Sequence, residues 1–215
     1  MDTIHYMMDN AGYLATLTFQ HLWLVLLAVG MAIIIGVPLG VLIVRHKWLA
    51  TPVLGIATIV LTIPSIALFG LMIPLFSLIG QGIGALPAIT AVFLYSLLPI
   101  VRNTYAGLCS VPGSLLEAAN GIGMTKWQRL WQVEIPNAWP VMLSGIRIAT
   151  AINVGTAPLA FLIGASSYGE LIFPGIYLND FPTLILGAAA TALFALILDT
   201  LLAALGRLMS PHLAR

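Results

Sequence analysis

The chain has 215 residues, 60% of them hydrophobic and only 7% charged, with a formal net charge of +1 and a single cysteine. A soluble domain carries about 25% charged residues, so this composition excludes an ordinary soluble fold and places the chain in a bilayer. The near-neutral balance argues against a nucleic-acid partner, and the lone Cys109 excludes a disulfide framework and a cysteine-based metal motif.

In chain order, the opening MDTIHYMMDN carries acids and no Lys or Arg. A cleaved signal peptide needs a basic start, so the first apolar helix is expected to be retained. A spanning helix needs about 20 mostly apolar residues. Five such runs are present, at roughly Leu22–Val44, Pro52–Phe76, Leu86–Leu108, Val141–Ile163 and Leu184–Leu205. Gly36-Val37-Pro38-Leu39-Gly40 has the small-residue spacing that permits close helix contact, a weak signal alone. Pro38, Pro64 and Pro99 are expected to kink their helices. Cys109, at the end of the third run, reads as a small packing residue.

Basic residues set orientation. Threading five spans alternately puts all eight Lys and Arg on one side: Arg45, Lys47, Arg102, Lys126, Arg129, Arg147, Arg207 and Arg215. The opposite side holds Asp2, Asp9, Glu170 and Asp180. The expected fold is therefore an all-α integral membrane protein of five transmembrane helices, one domain over 1–215, with its N-terminus outside and its C-terminus cytoplasmic. Five spans do not divide into equal halves, so an inverted repeat within one chain is not expected. A pathway can instead form on the axis between two chains.

The one long cytoplasmic loop, about 109–140, carries its own helix signals. Ser114-Leu115-Leu116-Glu117 reads as a capping box, with a helix running through Ala118 and Ala119 and ending at Gly121 and Gly123. Thr125-Lys126-Trp127-Gln128 reads as a second capping box, whose helix is expected to stop before Pro136. On that helix Trp127, Leu130 and Trp131 share a face at i, i+3 and i+4. The physical reading leaves two options, an amphipathic hairpin resting in lipid headgroups and a docking surface for a soluble partner.

Glu117-Ala118-Ala119, then Gly123, Val133, Ile135 and Pro136, resemble at matching spacing the EAA loop of ABC importer permeases, with Val for Ile and Ile for Leu. The resemblance implies a type I importer permease in the bacterial cytoplasmic (inner) membrane. It implies that this loop couples the chain to a cytoplasmic ABC ATPase dimer. The chain has no GxxxxGK[ST] loop, so it is expected to be no enzyme itself, and to hold no cofactor. ATP and Mg would be bound by the partner ATPase. A second permease chain and an extracytoplasmic substrate-binding protein complete the implied assembly. Gly145–Ala151 and Ile163–Ile176 resemble the glycine betaine/carnitine/choline (osmoprotectant) permeases; methionine importer permeases are the alternative. An ion-coupled transporter and a scaffold protein are the rivals from other classes.

Polar residues within the spans give candidate pathway positions: Thr58, Thr62 and Ser65, Tyr95 beside Phe93, and Thr150 with Asn153. Hydrogen bonding between helices is the competing reading for the Thr, Ser and Asn positions, and packing is the competing reading for the two aromatics. A quaternary ammonium offers no N–H donor, so weakly polar walls and aromatic faces suit it. Asp199 is the one acid well inside a span, and it is expected to pair with Arg147 or Arg102 as a brace. The segment Ser166–Pro182, with Tyr168, Glu170, Tyr177 and Asp180, is the expected receptor-facing surface. His5, His21, His46 and His212 show no metal-ligand spacing.

Overall fold

A computed structural model of the chain describes residues 3–209, all of whose regular elements are helical. Asp2, His212, Arg215 and the side chain of His5 lie outside the described residues. After a short helix α1 (Thr3–Asp9), α2 runs over Ala11–Arg45. It starts well before the expected Leu22 because nothing from Ala11 onward interrupts it. Thr16 and Thr18 return their hydroxyls to the carbonyls of Gly12 and Leu14, at 3.0 and 2.8 Å, and so fit a helix in an apolar setting. At 35 residues α2 is about 50 Å long and outreaches a hydrocarbon core of about 30 Å.

A 3-10 turn (Lys47–Leu49) leads into α3 (Ala50–Thr62) and α4 (Ser65–Ser77), which meet at 102°. The expected second span is thus a broken one. The residue before a proline is pushed out of the α region, and Ile63 sits at φ −64°, ψ 128° ahead of Pro64. The Tyr95 hydroxyl donates to the Ile63 carbonyl at 2.5 Å, satisfying an acceptor at the break. Pro38 and Pro99, by contrast, lie inside unbroken helices.

The remaining long helices are α5 (Ala85–Cys109), α8 (Ile135–Thr156) and α10 (Phe181–Met209). Neighbour pairs fix their directions. On α2, Gly36 lies against Ile100 and Gly40 against Thr104, so α2 and α5 run parallel. The bent pair α3–α4 must therefore carry the chain back across the bundle. Four helices are long and apolar enough to span, and the bent pair makes a fifth pass. Gly107 meets Ala138 and Gly145 meets Pro99, so α8 runs antiparallel to α5. Gly206 meets Leu143 and Asp199 meets Arg147, so α10 runs antiparallel to α8. One end of the bundle collects Arg45, Lys126, Arg129 and Arg207; Glu170 and Asp180 mark the other.

Small residues draw the helices together. Ala28, Ala32, Gly36 and Gly40 repeat every fourth position on the buried side of α2. A Cβ on Gly40 would lie 2.5 Å from Thr104 Cβ, and one on Gly145 would lie 2.6 Å from the Pro99 carbonyl oxygen. Close approach of this kind replaces the hydrophobic drive that lipid-embedded helices lack.

Candidate functional site

The segment between α5 and α8 folds as a compact unit at the basic end. Helix α6 spans Gly113–Gly121, one residue earlier than expected, with Pro112 at its N-cap. Ser114 makes no capping bond, so the first capping box is not formed: proline at the boundary already pre-sets the entry, and Ser114 lies inside the helix. The stop is as expected. Gly123 is left-handed at φ +80°, its N–H bonds Asn120 O, and the Met124 N–H reaches Ala119 O at 3.1 Å.

The second box is present in full. Gln128 N donates to Thr125 Oγ1 at 3.3 Å and Thr125 N donates to Gln128 Oε1 at 2.9 Å, opening α7 (Lys126–Arg129). Here the expected stop before Pro136 is overturned. Helix continues without interruption from Lys126 to Ile163. Residues Leu130–Glu134 widen into a π-turn, in which Ile135 N–H bonds Leu130 O, five residues back. Proline cannot donate and its ring crowds the carbonyl four residues earlier, and the wider turn absorbs that misfit. The segment from Lys126 is therefore continuous in helix with the fourth span.

The π-turn also divides the expected aromatic face. Leu130 is buried with Leu108, Val111, Ala138 and Met142, while Trp127 and Trp131 stay exposed, edge to face with centroids 5.6 Å apart. Ala119 is buried; Glu117 and Ala118 are exposed beside Ile122. Val133 and Ile135 are half-buried and Pro136 is exposed. The outer surface of the unit thus offers a carboxylate, a bulky aliphatic side chain and two tryptophans.

Its inner surface holds a residue that the spacing of the sequence did not single out. Glu134 is buried, at 3% exposure. Its carboxylate accepts Arg45 Nη2 on both oxygens at 3.1 Å and Arg129 Nε at 2.8 Å. Arg129 Nη1 continues to Asn120 Oδ1 at 2.9 Å. The only hint in the sequence is an acid lying five residues after an arginine, a separation that an α-helix does not bring together and a π-turn does.

Within the bundle, Asp199 pairs with Arg147 and not with Arg102, which stands exposed on α5. Arg147 Nε and Nη2 each donate to one carboxylate oxygen at 2.7 Å, a two-pronged geometry. The pathway candidates separate. Asn153 and Thr150 are buried, Asn153 Nδ2 donating to Ser96 Oγ and Thr150 Oγ1 to its own helix at Ile146 O. Tyr95 closes the α3–α4 break. Thr58 and Thr62 are exposed, each hydroxyl returned to its own helix. Ser65 alone borders a groove, of about 500 Å³, between α4, α8, α9 (Gly169–Tyr177) and α10. The polar groups of Tyr95, Thr150 and Asn153 are bonded within the chain, and the structure does not gather the candidates into one site.

At the acidic end, α9 (Gly169–Tyr177) packs on α10 and on the 3-10 extension of α8 (Ala157–Ile163). Tyr177 is exposed, but Tyr168 is buried at 4%, stacked on His21, with its hydroxyl donating to Thr18. Tyr168 therefore belongs to the core and not to the expected receptor surface. The Tyr13 hydroxyl donates to Glu170 at 2.7 Å and so ties the start of α2 to α9. Asp180 accepts from Thr183 at the start of α10. Cys109 ends α5 exposed, not packed.

The fold and sequence have known counterparts. The chain is 68% identical over 211 residues to the osmoprotectant import permease protein OsmW of Salmonella typhimurium, covering 98% of each. It is 43% identical over 206 residues to the glycine betaine/carnitine/choline transport system permease protein OpuCB of Bacillus subtilis, covering 96% of this chain and 93% of that one. The inward-facing MetNI methionine ABC transporter holds a chain of the same fold, with a TM-score of 0.78 at 22% identity over 96% of this chain and 99% of that one. Residues 16–215 match the description "binding-protein-dependent transport system inner membrane component", and the chain belongs to that family.

Proposed function

We propose that this chain is the permease subunit of an ATP-driven importer for quaternary-amine osmoprotectants. The observation that carries the reading is near full-length identity of 68% to a permease described as importing osmoprotectants. The likeness to the methionine transporter, at 22% identity, speaks to fold alone. The unit from α6 to the π-turn is the coupling surface. Its exposed Glu117, Ile122, Trp127 and Trp131 meet a separate cytoplasmic ATPase, which puts the basic end inside the cell. A second permease chain and an external binding protein complete the assembly, and ATP and Mg belong to the ATPase.

The mechanism follows from the continuity of the helix. A push on α7 is delivered to α8 without a hinge, because Lys126–Ile163 is one helical run, and α6 is tied to α7 by the Arg129–Asn120 hydrogen bond. From α8 it passes to α5 and α10 through the Gly107, Gly145 and Gly206 contacts. Ligand selection would rest with the binding protein, leaving the permease a corridor of weakly polar walls.

The test is uptake of labelled glycine betaine in cells holding the binding protein and ATPase, with and without this chain, after a salt upshift. Dependence on the chain, lost in Glu117→Lys, is expected. Uptake of labelled methionine in place of glycine betaine would overturn the ligand and keep the importer. No ATP-dependent uptake of either would overturn both.

A further inference from the structure

Two arginines converge on one carboxylate, one from the same loop and one from a helix end that is remote in sequence. Glu134 projects inward from the π-turn, and its side chain is 5% exposed. Arg45 reaches it from the last turn of α2, and Arg129 reaches it from α7 while holding Asn120 at the end of α6. Below this network lies an apolar cluster of Leu108, Val111, Leu130, Ala138 and Met142, against which Val37, Val41 and Val44 of α2 pack.

The two kinds of contact do different jobs. Apolar contact is non-directional, so it holds α2 near the coupling unit but allows sliding and rotation. A guanidinium shared across both carboxylate oxygens has a defined geometry and fixes their register. Only Arg45 joins α2 to Glu134, whereas the Arg129–Asn120 arm is internal to the coupling unit.

We propose that Glu134 is a positioning residue that makes the basic end of α2 move as one piece with the coupling unit. The stroke then enters the membrane along two routes. One is α8, through the unbroken backbone. The other is α2, through Glu134 and Arg45, and from there α5 along the Gly36 and Gly40 seam. This inference rests on the coupling role proposed above.

The measurement is substrate moved per ATP hydrolysed by the complete importer in proteoliposomes. Arg45→Gln cuts only the α2 arm, at a partly exposed side chain, and Glu134→Gln keeps the shape of the carboxylate. Mutations along a coupling route change it by about 0.5–2 kcal/mol, so the ratio is expected to fall about 2- to 30-fold in each variant while ATP hydrolysis continues. Because one link is cut in both, the double variant should be no worse than the poorer single within about twofold. A brace for folding alone would lower the amount of complex and leave the ratio of the surviving complex unchanged. An unchanged ratio in Arg45→Gln, or losses that multiply in the double variant, overturns the proposal. If Glu134→Gln fails to assemble, Arg45→Gln alone decides it. Absence of ATP-driven uptake by the unaltered importer would sink the coupling role itself, and is a separate outcome.

Discussion

Replacing Asp199 by Asn removes a charge and one of two acceptors from Arg147 and leaves that guanidinium unneutralised. Arg147 lies thirteen residues beyond Glu134 on one helical run, about 20 Å along its axis, and sixteen before Ile163, about 24 Å. It is therefore near the middle of that helical run. An unpaired arginine at a helix centre costs about 2.5–3.5 kcal/mol on insertion scales. Both side chains of the pair are more than a third exposed on the isolated chain, at 38% and 37%, which leaves Arg147 room to find water or another partner. We therefore expect a smaller loss of about 1–3 kcal/mol, or roughly 5- to 150-fold in the ratio of assembled to unassembled protein. The assay is the thermal midpoint of monodisperse complex in detergent, alongside uptake in cells. Arg147→Met should lose a comparable amount, and Arg147→Met with Asp199→Leu should recover most of it, since removing both members of an ion pair is often neutral. Two results would refute the brace: Asp199→Asn with normal assembly and transport, or a double variant as damaged as the two singles added. Recovery of assembly without recovery of uptake would give the pair a part in transport instead.

Three further outcomes are expected. Gly145→Ala forces a Cβ to within 2.6 Å of the Pro99 carbonyl oxygen, a backbone atom that cannot rotate away, so α5 and α8 must separate at a cost of about 1–3 kcal/mol; a melting curve no lower than that of the parent would contradict the seam. Tyr95→Phe leaves the Ile63 carbonyl at the α3–α4 break without its donor and should cost about 1–3 kcal/mol in the same assay. At Gly123 the space for a side chain is open and only φ +80° is demanding, so Gly123→Asn should fold and import nearly normally, while Gly123→Val should not fold stably. Gly123→Asp tolerates the same backbone, so its expected loss of uptake comes from a new charge on the docking surface; normal uptake by both Gly123→Asp and Glu117→Lys would end the coupling assignment.

Patterns that depend on neighbours in the chain were legible. The apolar runs, the Thr125 capping box, the glycine stop at Gly123 and the small-residue seam of α2 each depend on a few adjacent residues obeying one local rule. What was missed depends on distant partners or on how two rules compete. Ser114 and Glu117 satisfy the capping pattern, yet Pro112 starts the helix first. Tyr168 and Tyr177 look alike in a segment of interfacial aromatics, but only Tyr168 finds His21, far away on α2. For Asp199 the sequence offered two arginines at similar depth, and the antiparallel register of α8 and α10 selects Arg147.

Pro136 decides how the proposed coupling segment joins the fourth span. A proline in helical sequence ends the helix, kinks it or is absorbed by a local change of pitch. The first outcome would hinge the coupling segment against the span that follows, and the segment could then swing without moving the bundle. The third occurs: the π-turn accommodates the proline and the helix runs on. The same turn rotates Glu134 inward, between Arg45 and Arg129. The irregularity that keeps the helix continuous therefore also builds the second attachment, to α2. If the turn is the common cause, Pro136→Ala should let Leu130–Glu134 relax toward α-helix, displace Glu134 and weaken its Arg45 contact without removing any charge. Substrate moved per ATP should then fall in Pro136→Ala, as is expected for Arg45→Gln. A Pro136→Ala importer with an unchanged ratio would show that the proline sets the helix geometry and has no part in transmitting the stroke.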